Sequence, residues 1–162
     1  GYMGEQIENE KFQNERTLVI RTNYEGPVNI LSEIGNCYEK KQTGTIIGIS
    51  SVAGERGRAS NYIYGSSKSG FTAFLSGLRN RLAKKNVHVL TVLPGPIKTK
   101  MTKGMNLPKF LTSNPDDVAR AIYKATIKRK NILYTKSIWR LIIFLIKIIP
   151  ENIFKFKKFW IF

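Results

Sequence analysis

Two short apolar runs dictate the architecture open to this 162-residue chain. Thr45-Ile46-Ile47-Gly48-Ile49-Ser50 and Val87-His88-Val89-Leu90-Thr91-Val92-Leu93 are continuous rather than alternating. Runs of that kind, at strand length, mark strands buried on both faces of a sheet. Between them, Asn61 to Lys85 carries Phe71, Phe74, Leu75, Leu78 and Leu82 on one broad helical face and small residues (Gly70, Ala73, Gly77) on another. Two strands joined by a long helix run parallel. Another helix is predicted over Arg21–Glu39, where Tyr24, Val28, Leu31 and Ile34 recur at near-helical spacing before Thr43-Gly44 breaks it. Asn114–Lys130 is a third, with Pro115 at a permitted early position and Asp116 and Asp117 at the positive end of the dipole. Asn131–Tyr134 reads as a short strand and Ser137–Ile149 as a helix stopped by Pro150. Gly1–Gln13 reads as a loop with room for one short helix, and Lys98–Ser113 as irregular. The order helix–strand–helix–strand–helix–strand is that of an α/β fold, a partial doubly wound parallel sheet with crossover helices. We divide it into a body, 1–136, and a hydrophobic basic tail, 137–162.

Composition narrows the function classes. The formal charge is +16, and ten of the 27 Lys and Arg residues lie in 121–162 beside a single acid, Glu151. The same stretch holds the most apolar run, Ile138–Ile149, interrupted only by Arg140 and Lys147. Basic and apolar residues together point to an anionic membrane surface rather than to nucleic acid, for which no known motif is present. A lysine- and isoleucine-rich composition with merely solvated charge is the bland alternative. One cysteine, Cys37, excludes an internal disulfide, and one Cys with one His, His88, leaves no Cys/His zinc site. No metal is expected. A reducing, cytoplasmic setting follows, with the inner face of the membrane as the place of peripheral contact.

Chemistry concentrates where the two main strands end. Ligands of open α/β sheets bind beyond the carboxyl ends of strands, and these strands end in Ser50-Ser51 and Pro94-Gly95. Tyr64 and Lys68 follow at positions i and i+4 of the long helix and so share one face. An ammonium near a phenol favours the phenolate, and such a tyrosine can protonate a developing alkoxide. Ser51 can hold the substrate oxygen where charge develops. Tyr-x-x-x-Lys alone is a weak signal, and neighbouring Tyr62 has Ser66 instead of a lysine four residues on. Ser51 thirteen residues before Tyr64, together with Pro94-Gly95 and Thr99 after the next strand, makes the set specific.

These pieces resemble the short-chain dehydrogenase/reductase family over nearly the whole chain. The match runs through Thr22–Gly26, Ile49–Gly54, Tyr64–Lys68 and Leu93–Thr99. The resemblance implies a Rossmann-like fold and an NAD- or NADP-dependent oxidoreductase that interconverts a secondary alcohol and a ketone. It implies Tyr64 as acid/base, Ser51 as the serine that orients substrate, and Lys68 as the residue that lowers the tyrosine pKa and holds the nicotinamide ribose. It also implies Asn23 as the anchor of a proton-relay water, and Pro94, Gly95, Ile97 and Thr99 as the nicotinamide turn. A homo-oligomer is implied too. The string Ser50–Asn61, with Gly1–Gln6 in place of the usual Asn-Asn-Ala-Gly turn and the tail around Ile132–Tyr134 and Ile148–Pro150, is similar to the decaprenylphosphoryl-2-keto-ribose reductase-like branch. A sugar or lipid-linked sugar would then be the substrate. The family's G-x-x-x-G-x-G turn does not occur before Asn23. The expectation is therefore a fragment lacking the N-terminal βα units, inactive alone; a non-enzymatic, membrane-associating remnant of the fold is the alternative.

Several residues keep a plain structural explanation. His88 opens a strand, and Cys37 has no neighbouring base. Arg56 and Arg58 follow the serine and are either phosphate ligands or solvated loop charges. For the tail, interfacial contact with Trp139, Trp160 and Lys155–Lys158 at headgroup level stands beside packing against protein. The run is too short to span a bilayer, which needs about 20 apolar residues.

Overall fold

The computed structural model describes residues 1–105 and 107–157. Three strands, β1 (Gly44–Ile49), β2 (Val87–Leu93) and β3 (Ile132–Tyr134), form one parallel sheet in that order. The helix α4 (Tyr62–Leu82) joins β1 to β2, and α5 (Pro115–Ile127) joins β2 to β3. The α/β class and the parallel crossovers are as the sequence predicts. Gly44 stands opposite Val87 and Ile49 opposite Val92, so β1 and β2 end together.

The central strand β2 is buried along its length because helices cover both faces. On one face Val87 and Val89, with Ile46 of β1, pack against Phe71, Leu75, Leu78 and Leu82 of α4. Val28, Leu31 and Ile34 of α3 (Gly26–Lys41) close that cluster. On the other face Leu90 and Val92 meet Ile122 and Ala125 of α5. Strand β1 departs from the expectation of two buried faces. Ile46 and Gly48 are buried, whereas Ile47 is 39% and Ile49 52% exposed. Its position explains this: β1 is an edge strand, and α5 packs on β2 instead.

The N-terminal region differs more. The short helix for which 1–13 leaves room is α1 (Gln6–Lys11); a second, α2 (Gln13–Ile20), which the sequence pattern did not mark, runs into α3 through one π turn, Arg21–Glu25. There the Gly26 N–H bonds to the carbonyl of Arg21, five residues back. Pro27 accounts for the widened turn. It has no N–H to give the carbonyl of Asn23, four residues earlier, and its ring crowds that position. Helix α2 buries only Val19, which left no apolar periodicity to read in the sequence. On α4 the small face is split: Gly70 lies against the Tyr24 ring, while a side chain at Gly77 would meet open space.

The tail packs across the carboxyl end of the sheet. Trp139, Ile143 and Ile146 of α6 (Ile138–Ile148) and Phe154 of α7 (Glu151–Phe154) join Val52, Leu93 and Leu111 in one cluster. Trp139 is fully buried, and its Nε1 donates to the Leu111 carbonyl at 3.2 Å. A headgroup position for Trp139 is thereby excluded; Lys158 and Trp160 lie outside the described residues. No helix among the described residues is long and apolar enough to cross a membrane. A Cβ at Gly95 would overlap the Trp139 indole, so the strand-end glycine is also a packing requirement of the tail. Gly95→Ala is expected to cost about 1–3 kcal/mol of stability through overpacking, read as a lower urea midpoint.

Candidate active site

The pairing of β1 and β2 continues past the strand ends. Ser50 N–H donates to the Val92 carbonyl at 2.9 Å and Val52 N–H to the Pro94 carbonyl at 3.1 Å. The turn after Ser51 and the turn at Pro94-Gly95 are thus held side by side at the edge where such sheets take ligands. Ser51 caps the short helical turn Val52–Gly54, its Oγ accepting from Ala53 N–H at 3.1 Å. That turn lies directly on α4. A Cβ at Gly54 would overlap the backbone of Lys68 and Ser69, so only glycine permits the approach. Ser50 Oγ donates to the Lys68 carbonyl at 2.9 Å and shares a hydrogen bond with Thr72 Oγ1 at 2.7 Å, which pins α4 to the strand end.

Tyr64 and Lys68 face one cavity of about 340 Å3, walled also by Ser51, Pro94, Gly95, Ile97 and Thr99. Ile97 is held by a bridge to Ser113, and Thr99 caps a short turn by a reciprocal pairing with Thr102. Seven of the eight residues singled out from the sequence therefore meet at one place. Asn23 stands behind them: it is 1% exposed, and a side chain at Gly1 would touch both Asn23 Oδ1 and Lys68 Nζ. Its Nδ2 donates to the carbonyls of Tyr2 and Val19, and its Oδ1 accepts from Tyr2 N–H at 3.3 Å. The side chain is committed to holding the irregular N-terminal segment beside the cavity. Pro27, four residues on, has no N–H to offer the Asn23 carbonyl.

The electrostatics differ from the sequence expectation in one respect. Burial holds the Tyr64 phenol above its ordinary value of 10.0, while a hydrogen bond from Ser51 pulls the other way. Lys68 is not what sets it. The Lys68 ammonium lies 5.8 Å from the Tyr64 ring centroid and donates instead to the Ile49 carbonyl at 3.1 Å. Lys68 is itself 7% exposed, and burial brings its pKa down to about 8. At neutral pH the pair is a protonated phenol beside a buried cation, suited to giving a proton rather than taking one.

Other candidates resolve structurally. Arg56 donates to the carbonyls of Ile146 and Ile149 and pairs with Glu151 at 2.9 Å, so it is neither a solvated charge nor a phosphate ligand. Arg58 is 8% exposed and so not a solvated loop charge. His88 Nε2 lies 2.8 Å from the Lys130 carbonyl, a strand-to-loop tie. Cys37 is exposed. The structure adds Asn61, buried on the cavity wall, and Met101, Met105 and Leu107 as an apolar side. Asn61 has no spacing signature, and the three apolar residues sit in a segment without periodicity.

The residues fit half of a nicotinamide dinucleotide. Lys68 has donors beyond the one given to Ile49, as a ribose diol requires, and Pro94, Pro96 and Ile97 offer a flat apolar wall for a ring. No glycine-rich turn for the pyrophosphate precedes Asn23.

A parallel sheet covered by helices on both faces thus carries this serine, tyrosine and lysine at its carboxyl edge. The short chain dehydrogenase profile matches residues 3–109, and the chain belongs to the short-chain dehydrogenase/reductase family. It is 30% identical over 155 residues to an uncharacterized oxidoreductase of Mycobacterium tuberculosis, covering 96% of this chain and 62% of that protein. It is 31% identical over 155 residues to an uncharacterized oxidoreductase of Streptomyces coelicolor, covering 96% and 61%. The chain thus spans less than two thirds of the length of these relatives. These relatives place the chain in the family without singling out a branch. The fold matches a Sphingobium yanoikuyae short-chain dehydrogenase in complex with NADPH, with TM-score 0.71, 19% identity, and 86% of this chain and 59% of that one covered. A Burkholderia cenocepacia short chain dehydrogenase in complex with NADP matches at TM-score 0.69 and 24% identity, over 76% and 52%.

Lys68 also gives a stability prediction. Unfolded, it titrates near 10.5; folded, near 8. Between those values the unfolded chain binds the extra proton, so stability rises with pH across the window. Below it both states are charged and the burial penalty is constant. The stability difference between wild type and Lys68→Met is expected to move in the wild type's favour from pH about 8 to about 10, measured by urea unfolding at each pH.

Proposed function

We propose that this chain is the catalytic part of an NAD(P)-dependent oxidoreductase that reduces a ketone to a secondary alcohol. The observation that carries the proposal is the meeting of Ser51, Tyr64 and Lys68 with the Pro94–Thr99 turn in one cavity. A bound reduced nicotinamide supplies hydride. Tyr64 gives its phenolic proton to the carbonyl oxygen as negative charge develops there, and the Ser51 hydroxyl, already directed at the Tyr64 oxygen, holds that oxygen in place. Lys68 holds the ribose, and its buried charge steadies the phenolate left behind. Pro94, Gly95, Ile97 and Thr99 position the ring, and Asn23 fixes the wall behind Lys68. Similarity of Ser50–Asn61 and the tail to the decaprenylphosphoryl-2-keto-ribose reductase-like branch supports a sugar or lipid-linked sugar as substrate.

The test is ketone reduction by the complete gene product that carries this chain, followed by nicotinamide absorbance. Tyr64→Phe is expected to lower kcat by about 10²–10⁴ with cofactor binding retained. Turnover that survives the substitution removes Tyr64 from the mechanism. Because burial keeps the phenol protonated, reduction is expected to run unimpeded through neutral pH. Alcohol oxidation is expected to climb with pH on the alkaline side.

We propose an anionic membrane surface as the partner of α6. Its inner face is buried, yet Leu141, Phe144, Leu145 and Ile148 on the opposite face are each more than half exposed. Ile153 and Phe156 of the following segment are exposed as well. Arg140, Lys155 and Lys157 lie exposed around it, on a chain of net charge +16. An apolar face with a cationic border complements anionic lipid. The chain is expected to sediment with phosphatidylglycerol-containing vesicles. The doubly substituted Phe144→Ser, Leu145→Ser chain, its charge unchanged, is expected to bind about tenfold more weakly. Equal sedimentation of the two chains would mean that charge alone drives the contact.

A further inference from the structure

Beside the Tyr64 cavity lies a smaller one of about 110 Å3, and the two share Met3, Asn61, Tyr64 and Met105. Its remaining wall includes Gln6 and Asn9 of α1. Four side-chain oxygens among the described residues are buried without a hydrogen-bond donor. Three of them, Gln6 Oε1, Asn9 Oδ1 and Asn61 Oδ1, belong to residues lining this one cavity. Asn9 is 1% and Asn61 8% exposed, so bulk water does not compensate them.

Two of the amides are fixed in orientation by their other end. Gln6 Nε2 donates to Glu10 Oε1 at 3.0 Å, and Asn9 Nδ2 donates to the Met3 carbonyl at 3.0 Å. Turning either amide over would set oxygen against oxygen, so each keeps its oxygen as an acceptor. The residues around the cavity thus hold three buried, unpaired acceptors, each a side-chain rotation away from a ligand there, and the exposed carboxylate of Glu5 stands beside them. A cluster of acceptors is complemented by a ligand rich in O–H donors.

We propose that this side cavity is a hydroxyl-binding subsite, so that the substrate carries hydroxyl-bearing carbons on one side of its reacting carbonyl. The proposal rests on Tyr64 as the site of carbonyl reduction, because the subsite opens onto that residue. The volume is a few water molecules' worth, at roughly 30 Å3 each. It suits a segment of two or three hydroxylated carbons and is too small for a further ring. Gln6, Asn9 and Asn61 would then set specificity. A substrate lacking these hydroxyls leaves buried acceptors unpaired, which discriminates more sharply than an apolar pocket can.

The chain is titrated with erythritol and with butane-1,4-diol, which has the same carbon skeleton without the inner hydroxyls, by ligand-observed NMR. Erythritol is expected to bind about tenfold or more tightly than the diol, and Asn9→Leu or Asn61→Leu is expected to remove that preference. In the complete gene product, the ratio of kcat/KM for erythrulose to that for butan-2-one is expected to fall by about tenfold or more in the same variants. Equal affinity of the wild-type chain for the two alcohols overturns the subsite, and this arm needs no variant to fold. Erythritol preference without turnover of either ketone leaves the subsite standing and fails the assignment of Tyr64. Turnover of both ketones with equal kcat/KM fails the subsite alone.

Discussion

The parallel pairing of β1 with β2 is the constraint on which the site depends. Because the strands end in register, and because hydrogen bonds from Ser50 and Val52 carry the pairing on to Val92 and Pro94, the two turns cannot separate without breaking the sheet. One turn bears Ser51; the other is the Pro94–Thr99 wall. Helix α4 completes the triangle, held to the strand end by Ser50 and resting on the glycine turn at Gly54. Tyr64 and Lys68 need only helical spacing to reach the cavity once α4 is so placed. The geometry of the candidate site is a consequence of backbone pairing in a buried sheet, which is the most rigid support a fold of this size offers.

How far this was legible depends on the range of the interaction. The strands, α4, α5 and α6 were readable because each has a periodic or continuous apolar pattern that local packing satisfies. Tyr64, Lys68 and Ser51 were readable because their spacing follows from that pattern. What escaped was set by distant partners. The exposure of Ile47 and Ile49 depends on which helix covers which strand. The π turn depends on Pro27, which alone gave no sign of where the helix would widen. Arg56 looked like a loop charge because its partners lie some ninety residues away. Gln6, Asn9 and Asn61 are polar residues with no periodicity, and only the fold brings their oxygens to one wall.

The chemistry of the site follows from how dry it is. Tyr64 and Lys68 are both displaced toward their neutral forms by burial, the tyrosine upward and the lysine to about 8. A buried lysine whose pKa burial has lowered to about 8, with its hydrogen bond to a backbone carbonyl, is still a cation at neutral pH. In the proposed reduction the phenol keeps its proton until charge develops on the substrate. On that reading proton transfer and the strengthening of the lysine–phenolate attraction would coincide, and the low-polarity wall formed by Pro94, Ile97 and Met101 would make that attraction stronger than it is in water.

The tail belongs to the same mechanical unit as the catalytic turn. Val52, one residue after Ser51, packs in the cluster that contains Trp139. Arg56 closes the loop by binding the carbonyls at the C-terminal end of α6, where a cation is favoured by the helix dipole, and its guanidinium lies 3.7 Å from the centroid of the Phe154 ring. Lys147 reaches back to Glu55 from the helix side. Residues 51–56 are consequently held from two directions, by the sheet on one side and by the tail on the other. Helix α6 is therefore an element whose inner face touches the Ser51 turn while its outer face lies exposed. A displaced α6 would carry Trp139 away from Gly95 and loosen both walls of the cavity together, so the packing of the tail and the shape of the site depend on one helix.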